Sequence, residues 1–231
     1  MNYTNDRAYN QEVIETDGRR LKGDASRRLV LDHAVDLASV EGLDGLSIGR
    51  LADAAHVSKS GVATLFGTKE RLQLAAVEAA RLRFVATVIE PARVEPRGIR
   101  RIVGLLDGWI AYSRDRIFTG GCFFAAAAAE FDAKPGPVRD ALAAALDDWS
   151  GYVAASFRFA IVQGEVDAGE DPEQFAFVAT ALLDAANTRS VMSGSNQPYV
   201  FARRALVALL RSAGADAAAI APLADVDDLA A

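Results

Sequence analysis

The residues best equipped for chemistry lie close together in SIGRLADAAHVSKSGVATLFGTK, which runs from Ser47 to Lys69. Ser58, Lys59, Ser60, Gly61 and Thr64 fall on one side of a short amphipathic segment, with Val62, Leu65 and Phe66 on the other. Small hydroxyls and a flexible ammonium suit hydrogen bonds to base edges and charge pairing with phosphate. Lys59, Ser60 and Thr64 are the expected base-reading groups, with Ser58 beside them, and the Thr64 methyl can meet a thymine methyl. Ser47, Lys69 and Arg27 are expected to border the same surface.

Such groups need rigid elements to aim them. Ser47 is a good N-cap for a short helix with Ile48, Leu51 and Ala52 on one face, and Ala54-Ala55-His56-Val57 forms the joint. Ser58 caps a second helix, Gly67 ends it, and Thr68 with Arg71 one turn on begins a third. Two short helices with a compact joint match a helix-turn-helix, whose second helix enters the major groove N-terminus first. An ordinary helical hairpin would share much of this pattern, so the flanking segments decide. A helix is expected over roughly Asp24 to Val40, with Leu29, Val30, His33, Ala34, Leu37 and Ala38 on one stripe and Gly42 just past its end. A longer helix from Thr68 toward Ile89 stops at Pro91, completing a small helical head.

From about Ala25 to Phe84 the chain resembles the DNA-binding head of the tetracycline-repressor (TetR) family of regulators. The matching residues are Ala34, Leu37, Gly42, Ser47, Ile48, Leu51, Ala52, Ala55, Val57, Ser58, Phe66, Lys69, Glu70 and Leu72. The resemblance implies a homodimeric transcriptional regulator, usually a repressor, that binds operator DNA and whose C-terminal domain binds a small-molecule effector. The family commonly carries aromatic or His residues near the end of its recognition helix, where this chain has Ala63, Thr64 and Leu65. Direct base readout is therefore thin, and backbone contacts and DNA shape are expected to carry much of the operator preference.

Composition bounds the alternatives. The 231 residues are 51% hydrophobic, enough for a small head and a larger body, and Ala-rich runs favour helix. The net charge of −6 conceals an asymmetry, because Arg and Lys are dense up to Arg101 and acidic residues dominate after Glu130. Two His, one Cys, no metal-ligand spacing and no phosphate-binding glycine loop argue against an enzyme, and no cofactor is expected. The single cysteine, Cys122, excludes an internal disulfide and reads as a small core residue, with redox sensing left open. The polar N-terminus lacks a signal-peptide pattern and no apolar run reaches transmembrane length, so a soluble, cytoplasmic protein is expected. A helical adaptor without sequence-specific DNA binding is the alternative.

The expected architecture is all-α: nine helices and no strand, with an arm over 1–23, a head over 24–90, a body over 97–212 and a frayed tail over 213–231. Within the arm, the Arg19-Arg20-x-Lys22 cluster could reach DNA or remain a free tail. The body offers Trp109, Tyr112, Phe118, Cys122, Phe123, Trp149, Tyr152 and Met192 as lining for an apolar or aromatic ligand. Its last two helices carry surplus apolar residues, among them Phe175, Val178, Leu182, Leu206 and Leu209, expected to pair two copies as a four-helix bundle. Such a dimer would set its heads ~34–36 Å apart on a near-palindromic operator, with the helix from Thr68 to Ile89 coupling ligand to head spacing.

Overall fold

Capping residues set the geometry of the head. Ser47, Ser58 and Thr68 each accept the amide three residues on, at Arg50 (3.3 Å), Gly61 (3.0 Å) and Arg71 (3.2 Å). Each cap satisfies an orphan donor at a helix start and contributes about 1 kcal/mol. They begin α2 (Ile48–Ala54), α3 (Lys59–Phe66) and α4 (Lys69–Phe84), which follow α1 (Asn5–Glu41). Gly42 (φ +80°) and Gly67 (φ +74°) end α1 and α3 in left-handed conformations that favour glycine. His56 holds φ +54° in the joint between α2 and α3. Val30, Ala34, Val35, Ala38, Leu51, Val62 and Phe66 form the core of the head.

The computed structural model describes residues 5–225, with side chains from residue 23 onward. Helix α1 starts well before the expected Asp24, so the segment 5–23 is helical in backbone. The side chains of the Arg19-Arg20-x-Lys22 cluster, and residues 1–4 and 226–231 altogether, lie outside the described residues. Leu29, expected on the inner stripe, is 45% exposed; Val30 and Val35 take the inward positions.

From α4 the chain passes through one π turn, Val85–Ile89, into the single turn α5 (Glu90–Ala92). The ladder widens just before Pro91, whose ring would clash with the carbonyl one turn back in a regular helix. The body then comprises α6 (Ile99–Arg114), α7 (Phe123–Phe131), α8 (Pro137–Val162), α9 (Pro172–Ser193), α10 (Gln197–Ser212) and α11 (Ala221–Ala224). All nine expected helices occur, together with the short α5 and α11, and no strand is present among the described residues. The tail is not frayed as far as it is described: Ile220 and Leu223 are fully buried, and α11 packs on α6 and α10. Arg203, ion-paired with Asp107, also bonds the Asp225 carbonyl and fastens that end. Among the described residues no helix is long and apolar enough to cross a membrane.

Helix α4 packs against α1 in the head and α8 in the body, and α7 also lies on α1. Phe84, at the end of α4, meets Tyr112, Trp149 and Phe124 edge-on at 5.3, 5.2 and 6.1 Å. Such aromatic pairs add to the burial of their large apolar surface. In the loop before α7, Gly120 lies flat on the end of α1, where a Cβ would run into the Ser39 carbonyl. Gly120→Ala is therefore expected to destabilise by about 1–3 kcal/mol through overpacking against rigid backbone. Gly151→Ala, in open space within α8, should instead stabilise by about 0.5–1 kcal/mol. Paired denaturant melts check the two opposite signs.

Candidate nucleic-acid interface and ligand cavity

At the start of α3, Lys59, Ser60 and Thr64 are all exposed, as the reading of that helix requires. Ser58 spends its hydroxyl capping Gly61 and lies 3.2 Å from the Ser60 Oγ. Thr64 donates its hydroxyl proton to the Ser60 carbonyl (2.8 Å), leaving its methyl and an oxygen lone pair for a partner. The Lys59 stem passes over α2 at Gly49, where an added Cβ would sit 3.6 Å from Lys59 Cε. Gly61 is half-buried, and Ser47 serves as the cap of α2.

Two residues expected at this surface are engaged within the protein. Arg27 donates to the Leu65 carbonyl (2.8 Å) and lies 4.6 Å from the centre of the Phe66 ring, fastening α1 to the C-terminal end of α3. A cation there satisfies an orphan carbonyl and complements the helix dipole. Lys69 donates to the Asp44 carbonyl (2.7 Å), so its ammonium holds the loop between α1 and α2. Spacing alone could not reveal either partner. Arg50, paired with Glu41 at the exposed start of α2, and exposed Arg71 are cations of this face that the sequence reading did not place there.

The body grips that same loop. The Glu130 carboxylate, at the end of α7, accepts the amides of Leu43 (2.6 Å) and Asp44 (2.9 Å). Gly42 leaves the space this carboxylate occupies. Lys134 reaches Asp44 at 2.8 Å and holds its carboxyl below the usual range, with Gln73 and Lys69 adding to the effect. Further along α1, Asp36 accepts from the Thr119 amide (2.8 Å) and hydroxyl (3.0 Å), and Ser39 Oγ accepts from the Gly120 amide (2.9 Å). The start of α7 is pinned by Asn187, whose Oδ1 accepts from the Cys122 amide and from Ser113, both at 2.8 Å.

A cavity of about 380 Å³ opens between α4, α6, α7, α8 and α9. Of the expected lining residues, Trp109, Cys122 and Trp149 are there. Tyr112, Phe118 and Phe123 lie behind the wall as a chain of packed rings, with Tyr112–Phe118 at 5.9 Å and Phe118–Phe123 at 5.8 Å. Tyr152 sits under the Arg93 guanidinium, 5.9 Å from it. Met192 is 84% exposed and belongs to the outer face of α9 and α10. Burial pushes the Cys122 thiol up to about 11, which leaves it neutral and a poor redox sensor. Phe124, one of the aromatic residues that the sequence of the body groups together, also lines the cavity, as do Phe84, Arg81 and Asp184, which were missed in sequence. A carboxylate amid the apolar ALLDAAN of α9 was the available signal for Asp184.

On the outer face, a groove of about 800 Å³ runs between α9 and α10, lined by Leu182, Ala185, Met192, Pro198, Phe201 and Ala205. Of the expected pairing residues only Leu182 lines it. Phe175 is buried and stacks on Phe157 at 3.9 Å within the same chain, and Leu206 is wholly buried. Val178, Leu182 and Leu209 are half-buried. Met192, Val191 and Phe201 (59%) are exposed on these helices, and so is Phe177 (69%), which lines the cavity and not the groove.

The fold and site define a two-domain helical protein with a helix-turn-helix head and a cavity-bearing body. Its residues 30–76 match the family model for bacterial regulatory proteins of the tetR family, and 98–206 match that for the tetracyclin repressor-like C-terminal domain. These matches together span more than half of the chain, which belongs to the TetR family of DNA-binding transcriptional regulators. A TetR regulator from Chloroflexus aurantiacus is 24% identical, with a TM-score of 0.77 over 82% of this chain and 96% of its own. One from Cytophaga hutchinsonii is 18% identical, with a TM-score of 0.73 over 83% and 96%. AibR, whose structure holds isovaleryl coenzyme A and operator DNA, is 19% identical, with a TM-score of 0.60 over 71% and 86%. None of the curated proteins compared with this chain matches it.

Asp184 is exposed as a residue, yet desolvation beside the cavity wall raises its carboxyl from 3.8 to about 6. The folded state thus keeps a proton that the unfolded chain releases, so the ionised group destabilises the fold as pH rises through that window. Asp184→Asn should stabilise the protein at pH 7.5 by an amount on the order of 1 kcal/mol, a value reduced by solvent screening at the cavity mouth. The gain should shrink as pH falls from 6 through 3.8 and vanish only below about pH 3, where the carboxyl is protonated in both the folded and the unfolded chain. Thermal melts of both proteins across this range check it.

Proposed function

We propose that the protein is a ligand-responsive repressor that acts in the cytoplasm as a homodimer on a near-palindromic operator. In this reading Lys59, Ser60 and Thr64 of α3 meet base edges and phosphates in the major groove, and the helix caps hold α3 in position. Two copies pair through the α9–α10 faces, where the apolar groove and the exposed Met192 and Phe201 supply the surface. A small apolar or aromatic molecule in the cavity releases the DNA by binding the non-operator state more tightly.

The observation that carries this reading is the course of α7. Cys122 and Phe124 at its start line the cavity, and Glu130 at its end holds the loop that leads into α2. A shift of this nine-residue helix therefore reaches the helix-turn-helix directly. The expected route through α4 runs in parallel, since Arg81 and Phe84 also line the cavity. The AibR structure, with both an acyl coenzyme A and operator DNA, is a precedent at the level of fold.

Gel shifts with the DNA flanking the protein's own gene, at two salt concentrations, test the regulator reading. A discrete, salt-sensitive complex is expected. Lys59→Ala should lower the salt slope by about two for a dimer, roughly 0.9 for each lost phosphate contact. Phe201→Glu should give monomers in sedimentation and weaken the complex. Absence of a complex with any duplex at low salt would favour the helical adaptor.

A further inference from the structure

The charges around the cavity do not balance. Its one cation, Arg81, is held by Glu78 through two hydrogen bonds of 2.8 and 2.9 Å. Two carboxylates line the same space, Asp147 and Asp184, and neither has an ion pair or side-chain hydrogen bond among the described residues. The remaining polar side chains are small: the Thr180 hydroxyl donates back to the Ala176 carbonyl (2.9 Å), and the Ser150 hydroxyl makes no hydrogen bond among the described residues. The walls are aromatic, and Trp109, Trp149, Phe84 and Phe124 line the same space as the carboxylate on α9. Ring faces and an unpaired carboxylate both attract positive charge, although solvent reaches both carboxylates and screens part of that attraction.

We propose that the cavity takes a lipophilic organic cation, an ammonium on an apolar or aromatic body, with its charge against Asp184 and its body between Trp109, Trp149, Phe84 and Phe124. This assignment rests on the reading of the cavity as the effector site and names the class of effector. An anionic ligand would face two uncompensated carboxylates, and a neutral one would forgo the attraction of Asp184. A volume of about 380 Å³ admits a compact molecule of this kind.

Trp109 and Trp149 are the two tryptophans of the chain and both line the cavity, so intrinsic fluorescence reports its occupancy. Three probes of matched shape separate the classes: benzyltrimethylammonium, neutral neopentylbenzene and anionic phenylmethanesulfonate. Saturable quenching by the cation is expected, with the neutral probe weaker by about tenfold and the anion weaker still. Asp184→Asn should cost the cation roughly tenfold and leave the neutral probe unchanged. Benzyltrimethylammonium carries no titratable proton, so its affinity for the unaltered protein should fall between pH 7.5 and 5. The Asp184→Asn protein keeps Arg81, Asp147 and Cys122 around the cavity and should lose that dependence. Equal binding of the neutral probe, an Asp184→Asn protein with undiminished affinity for the cation, or no saturable quenching by any probe would each overturn the assignment. Operator DNA does not enter this experiment, so its failure leaves the regulator reading standing; that reading fails separately, in the gel shift.

Discussion

The pair of hydrogen bonds from the Leu43 and Asp44 amides to the Glu130 carboxylate is the joint on which the rest of the architecture depends. The turn after α1 exposes backbone donors that need an acceptor, and the body supplies a charged one. Gly42 makes the contact possible twice over, through its left-handed backbone and through the missing Cβ. Lys69, Gln73 and Lys134 close around the same loop from α4 and the end of α7. Head and body therefore share this polar knot, the contacts of Asp36 and Ser39 with Thr119 and Gly120, and the aromatic seam at Phe84, and neither can reorient without disturbing them.

The knot also explains why the GGCFF segment reads as it does. Gly120 must lie against the α1 carbonyl of Ser39, and Gly121 adopts φ +87° beside the Asn187 side chain. The next amide, of Cys122, is held by Asn187, and Phe123 and Phe124 then start α7 within the aromatic core. A buried polar group of this kind is costly when unsatisfied and strongly positioning when satisfied. Asn187 answers both Ser113 and Cys122, and Ser113 in turn meets Tyr199 of α10 at 2.7 Å. The helices of the outer face are thereby connected to the one that spans from the cavity to the head.

What the sequence made legible was local. Ser47, Ser58 and Thr68 cap their helices because capping depends on residues three positions apart, and the helix-turn-helix followed from those spacings. Partners distant in the chain were not legible. Arg27 and Lys69 declared their charge but not the carbonyls that capture them. On α9, Phe175 faces Phe157 in the core while Phe177, two residues on, points outward, and an apolar count cannot choose between them. Asp184 was lost in the same stripe because periodicity records apolar positions and passes over a single charge among them. The long start of α1 carries too little apolar pattern to announce a helix, and the buried Ile220 and Leu223 stand in an Ala-rich stretch that reads as tail.

The central claim is that occupancy of the cavity is transmitted to the recognition helix through α7 and Glu130. Operator affinity measured with and without saturating benzyltrimethylammonium, in the unaltered protein and in Glu130→Gln, tests it most directly. The account predicts that the cation weakens operator binding of the unaltered protein by about tenfold, a coupling of the usual allosteric size, and that Glu130→Gln loses most of that difference. A cation that saturates the Trp109 and Trp149 signal yet leaves operator affinity unchanged would contradict it, and so would full coupling in the Glu130→Gln protein.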